Sequence, residues 1–198
     1  MTNINGKTYA LAAIAPMRPW KARILQLLLG ITQRSMALQK GLSDLSMVHF
    51  ARFAVVSRSS LAFFGGNQPK ENLHYHYLLF FSNFNGTWNQ YIDSFSTAIS
   101  GDLNGIAVWT EKFPGSVPVT PFKRWIAAAQ FDTDYYYSAY PHATVNDVRA
   151  AHRVEAALNA FAANAAELTP EEFGRAYLKF LVRIQGDLGT TGPPPVGD

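Results

Sequence analysis

Two stretches carry polar residues where apolar strands would ordinarily carry none: Ser46-Met47-Val48-His49-Phe50-Ala51-Arg52-Phe53 and Phe81-Ser82-Asn83-Phe84-Asn85-Gly86-Thr87-Trp88. A guanidinium such as Arg52 among apolar neighbours needs an anion to offset its desolvation, either a substrate oxygen or carboxylate or a structural partner such as Asp93 or Glu111. His49 can act as a base near neutral pH or stand as a hydrogen-bonded core residue. Asn83 and Asn85 can hydrogen-bond a developing oxyanion beside a helix N-terminus, and equally they can build a turn with Gly86. On the catalytic reading His49, Arg52 and Asn85 do the chemistry, Asn83 binds substrate, and Trp88 and Tyr137 shape the pocket.

Side chains alternate along a strand, so Val48, Phe50, Arg52, Ala54 and Val56 are expected on one face and Met47, His49, Ala51, Phe53 and Val55 on the other. His74 and His76 stand two apart, a spacing a metal can use if a third ligand converges, but the nearest acid, Glu71, falls in the preceding loop. No metal site is assigned. No Walker loop, dinucleotide fingerprint or Gly-x-Ser-x-Gly elbow is present.

The elements that must position these residues follow from pattern. Pro19 opens a helix in which Trp20, Ile24, Leu27, Leu28, Ile31 and Leu38 recur at helical spacing, with Lys21, Arg23, Gln33, Arg34 and Lys40 as its polar residues and no acid among them. Such a stripe can pack on the domain, on a second subunit or on an anionic membrane surface. Strands are expected at 47–56 and 73–83, with a loop around Gly65-Gly66-Asn67-Gln68-Pro69 between them. Thr87 and Gln90 form a capping box for a helix from Trp88 to about Ser100. A third strand is expected at 105–111, a short helix from Thr120-Pro121 to Gln130, and a fourth, tyrosine-rich strand at 133–140. Thr144 with Asp147 starts an alanine-rich helix to about Ala166, and Thr169-Pro170-Glu171-Glu172 opens a last helix to Gln185.

This order predicts an α+β fold: a ferredoxin-like, four-stranded antiparallel sheet with helices on one face. The expected organisation is an N-terminal extension over 1–41 carrying the basic amphipathic helix, a domain over 42–185, and a Gly/Pro-rich flexible tail over 186–198. The uncovered sheet face needs a partner, and two such faces packed together make a dimeric α+β barrel around a small-molecule pocket.

Composition narrows the classes. The chain of 198 residues, 48% hydrophobic, can bury a core and is too short for two large domains. It has no cysteine, which removes disulfides, thiolate catalysis and zinc-thiolate sites. The net charge of +3 hides an asymmetry: residues 1–58 hold eight basic side chains against Asp44 alone, and the rest is net acidic. Any anionic partner therefore meets the N-terminal part, and a uniform nucleic-acid-binding face is not expected. No secretory signal or membrane span is legible, so the expected location is the cytoplasm, at the periphery of a membrane if the basic helix meets lipid.

The phrase VHFARF, the later SNFNG followed by TWNQYI, and the basic helical segment upstream resemble a group of uncharacterised bacterial proteins with the patterns IHFARW and SNFDG, over roughly residues 40–100. That group is similar to the dimeric α+β barrel superfamily, which includes haem proteins such as dye-decolourising peroxidases and chlorite dismutases as well as cofactor-free oxygenases. The resemblance implies a homodimer with a buried pocket for an apolar or aromatic substrate and favours oxidative chemistry. For haem, the axial candidates are His49, His74, His76, His142 and His152, none in a diagnostic motif. Asn85 stands where the pattern has aspartate, and an amide cannot take up and return a proton as a carboxylate does. The alternative is a non-catalytic ligand- or lipid-binding protein held at a membrane surface by its basic helix.

Overall fold

The structure is a computed structural model that describes residues 8–32, 45–58, 65–67, 69 and 73–189. Arg34, Leu38, Lys40, Glu71 and the tail beyond residue 189 lie outside the described residues. The elements run β1 (Thr8–Met17), α1 (Pro19–Thr32), β2 (Val48–Val56), β3 (His76–Asn85), α2 (Trp88–Ala98), α3 (Ser100–Ala107), α4 (Val119–Ala129), β4 (Gln130–Phe131), α5 (Val145–Ala165) and α6 (Pro170–Ile184). The four strands form one open antiparallel sheet in the order β2-β3-β1-β4. The protein is thus α+β, with six helices among the described residues, and the order of strands is consistent with a ferredoxin-like arrangement.

Register sorts the side chains into two faces. Leu11, Ala13 and Ala15 of β1 lie beside Ser82, Phe80 and Leu78 of β3, and these point toward the helices. Leu11, Ala13 and Phe84 join Tyr91, Ile92 and Phe95 of α2 and Phe122 and Ile126 of α4 in the main core. Met17 and Leu78 join Ala22 and Leu25 of α1 and Ile106 of α3 in a second cluster. Complete burial of a side chain such as Leu25 or Phe122 contributes roughly 1.5–3 kcal/mol, so these two clusters fix which sheet face the helices cover.

Several expected elements differ. The first strand was not legible in the sequence, because four of its ten residues are alanine, a residue of low strand preference. Of these alanines, Ala13 packs with α2 and α4 in the main core, whereas Ala10 and Ala12 lie on the opposite face. β1 is a central strand and α1 packs on β3, so residues 8–32 are part of the sheet and its helical layer rather than an extension preceding the domain. The strand expected at 105–111 is the end of α3 and a turn: Ile106 and Ala107 are buried from a helix, a case where a short apolar run does not reveal its period. The strand expected at 133–140 is irregular, with Tyr135, Tyr137 and Tyr140 exposed, and the fourth strand is the two-residue β4 just before it.

The capped helices match their signals. Thr87 with Gln90, Thr144 with Asp147 and Thr169 with Glu172 each form a complete capping box, in which the Thr hydroxyl accepts from the third helical amide and the third side chain accepts from the cap amide. α4 starts one residue before Thr120, without a side-chain cap. The helix expected from Trp88 to about Ser100 is α2, which ends at Ala98, and a further helix, α3, follows directly after Ile99. α5 and α6 form a hairpin whose own aromatic cluster is Phe161, Phe173, Tyr177 and Phe180.

Candidate functional site

The second sheet face presents Ala10, Ala12 and Ile14 of β1, Tyr77, Leu79, Phe81, Asn83 and Asn85 of β3, Phe50, Arg52, Ala54 and Val56 of β2, and Phe131 of β4. Neither core cluster draws on this face, and Ile14, Phe50 and Phe131 stand exposed on it. A mostly apolar surface with one arginine and a polar end is left open among the described residues.

A β-bulge decides the composition of that end. Pairing of β2 with β3 is regular from Phe50 to Val56, but Val48 pairs with Phe84 while Phe50 pairs with Asn83, so the register shifts across His49. Val48 consequently turns toward the main core beside Phe84. His49 reaches Thr8, with Nε2 3.5 Å from Thr8 Oγ1, and Asn85, which pairs with Thr8 across β1 and β3. His49 is therefore brought to the same side as Arg52 and Asn83, whereas strict alternation placed it on the opposite face from Arg52.

Asn85 is buried, and its Oδ1 accepts from the Val145 amide at 2.9 Å, tying the end of β3 to the first turn of α5. Its own amide donates to the Met47 carbonyl at 2.8 Å. Packing around the His49 ring holds its pKa below the ordinary 6.5, against a smaller upward pull from hydrogen bonding with the Asn85 side chain. The imidazole is thus neutral at neutral pH and can accept a proton. Asn83 Nδ2 donates to Tyr136 Oη at 2.6 Å, and burial is the largest influence on that phenol, raising its pKa.

Arg52 is exposed on the open face with its guanidinium carbon 5.3 Å from the centroid of the Phe81 ring, a cation–π contact. The two carboxylates considered as its partners are engaged elsewhere: Asp93 pairs with Lys123 at 2.8 Å, and Glu111 with Lys21 at 3.1 Å and Arg18 at 3.5 Å. No carboxylate pairs with Arg52 among the described residues.

Two of the expected site residues stand apart. Trp88 lies against the main core on the helical side of the sheet, its indole N–H donating to Gln130 Oε1 at 2.8 Å. Tyr137 is 73% exposed in the segment after β4, and the tyrosine that meets the site is its neighbour Tyr136. Nothing in a run of three tyrosines distinguishes the middle one. Thr8 also escaped notice, since its role depends on β1 lying next to β3.

Between the sheet and the helices is an apolar cavity of about 40 Å³, lined by Ala13, Ala15, Phe80, Phe95, Leu103 and Ile106 among others. It has room for a water or two and no charged lining, so an aromatic molecule does not fit there. No group of three or more potential metal ligands occurs among the described residues. The small cavity on the helical side has no room for a haem. His76 is buried on the helical side, where the cavity is this small, while His74, His142 and His152 are exposed. His49 faces the open side of the sheet. The chain matches no protein-family model, no curated protein and no solved structure.

Proposed function

We propose that the open sheet face is a small-molecule site, closed by the same face of a second copy in a dimeric α+β barrel, and that the protein is an enzyme acting on a small apolar or aromatic compound that bears an oxygen anion or carboxylate. The observation that carries this reading is Arg52: a permanent cation on an apolar sheet face, stacked on Phe81, with no carboxylate beside it among the described residues. Exposed Ile14, Phe50 and Phe131 supply the surface that a second copy would cover.

In this reading Arg52 holds the substrate's oxygen, and its charge grows in value as closure excludes water. Neutral His49 removes a proton, and Asn83, already donating to Tyr136, supplies a positioned amide at the polar end. Asn85 acts by holding His49 and α5 in place rather than by touching substrate. The resemblance of the VHFARF and SNFNG stretches to dimeric α+β barrel proteins favours oxidative chemistry.

The test joins light scattering with thermal-shift binding of aromatic carboxylates such as benzoate and hydroxybenzoates. The expected results are a dimer, a monomer for Phe50→Asp, a shift by at least one of these carboxylates, and loss of that shift in Arg52→Ala with the unliganded melting temperature unchanged. A wild-type monomer at high concentration, or ligand shifts that survive Arg52→Ala, would overturn the reading.

A further inference from the structure

α1 carries two apolar stripes, and the larger one faces away from the protein. Ala22 and Leu25 are fully buried and Leu29 is half-buried against Met17, Leu78 and Ile106, so this narrow stripe docks the helix on the sheet. Trp20, Leu27, Leu28 and Ile31 are exposed, with Leu27 and Ile31 each about 70% accessible. At 3.6 residues per turn, Trp20, Ile24, Leu27, Leu28 and Ile31 fall within an arc of about 100° on the side of the helix away from the docked stripe. The spacing that identified this helix in the sequence thus belongs to its outer face.

The same helical turn places Arg23 and Lys21 on the two flanks of that arc, and α1 contains no acidic residue. Lys21 leans on Glu111, whereas Arg23 is exposed and has no carboxylate partner among the described residues. Apolar residues in the middle, cations at both margins and a tryptophan at the start of the arc match a helix lying in a lipid headgroup boundary, where long basic side chains reach anionic headgroups and indole sits at the interface. A second copy of α1 would set Arg23 against another helix that contains no acidic residue. An anionic lipid surface complements Arg23, the cation on this flank with no carboxylate partner among the described residues.

The geometry points to α1 as a docking surface for anionic phospholipid membranes. It lies on the helix-covered side of the sheet, away from the open face, and is independent of the reading given for that face. The full chain should co-sediment with phosphatidylcholine–phosphatidylserine vesicles, weakly with pure phosphatidylcholine vesicles, and less as salt is raised. Leu27→Glu with Ile31→Glu should weaken binding at least about tenfold, and Arg23→Gln about fivefold, each with wild-type thermal unfolding because these side chains are exposed. Absence of wild-type binding to the anionic vesicles, or equal binding by the Leu27→Glu/Ile31→Glu variant, would overturn the proposal. So would a wild-type oligomer that the same pair of changes dissociates without any lipid binding, which would mean that a second copy covers the stripe.

Discussion

Asn85→Ala separates a catalytic amide from a structural one. The Asn85 side chain accepts from the buried Val145 amide and also bonds His49, so its truncation orphans a buried backbone donor at the start of α5. Such an orphan costs about 1–3 kcal/mol. For a chain of this size each kcal/mol lowers Tm by about 2–4 °C, so the expected fall is about 4–8 °C near the middle of the range. Asn85→Asp keeps an acceptor for Val145, and a carboxylate at a helix N-terminus gains about 0.3–1 kcal/mol, so at pH above the His49 pKa it should recover most of the loss. It also opposes the pH effect. In the wild type the folded His49 pKa lies below 6.5, so this group's contribution is present above that value and is lost as pH falls toward the folded pKa. A carboxylate beside the ring favours its charged form, and the acid-side loss should shrink or reverse. Thermal unfolding followed by circular dichroism across the range from mildly acid to mildly alkaline, with the His49 titration read by NMR, measures both effects. A wild-type Tm for Asn85→Ala, or an Asn85→Asp protein no more stable than Asn85→Ala on the alkaline side, would refute the structural assignment.

Three further outcomes follow from single contacts. Tyr91 Oη donates to Ser82 Oγ at 2.5 Å, both side chains fully buried, so Tyr91→Phe and Ser82→Ala should each cost about 1–2 kcal/mol and the double variant clearly less than their sum in a denaturant-unfolding cycle; strict additivity would contradict the pairing. Gly86 has φ +90° and a Cβ there would lie 2.9 Å from Gln90 Oε1, the capping-box arm of α2, so Gly86→Ala should destabilise by about 1–2 kcal/mol, measured by urea unfolding. His76 is buried with Nδ1 lacking a hydrogen-bond partner among the described residues, and burial first, then the charges of Arg58 and Arg23, hold its pKa below 6.5. Its contribution is therefore lost as pH falls below that value, and His76→Leu should flatten the acid limb of the stability profile, whereas an unchanged limb would assign the dependence elsewhere.

The parts of the fold legible in the sequence were those whose information is local. Each Thr followed three residues later by Gln, Asp or Glu marked a helix start, because the capping box is made within one turn of chain. β2 and β3 were legible from aromatic and β-branched content, although β3 runs past the expected end at Asn83 to Asn85. β1 was not, since alanines reveal a strand only through what packs on them. The tyrosine-rich segment after β4 was misread for the converse reason: strand-favouring side chains found no neighbouring strand to pair with.

For the candidate site, the residue types came from sequence and their grouping from the fold. By itself the sequence determined an α+β chain without cysteine chemistry, a basic N-terminal part, and His49, Arg52, Asn83 and Asn85 as the polar residues of two apolar stretches. The tertiary structure decided that His49 shares a side with Arg52, because one inserted residue in β2 breaks the alternation that strand geometry otherwise imposes. It also decided that Asn85 holds α5, that Tyr136 rather than Tyr137 reaches the site, and that the outer stripe of α1 faces away from the core. Each of these depends on which distant segment arrives beside a given residue, and periodicity along a chain, however regular, carries no record of that.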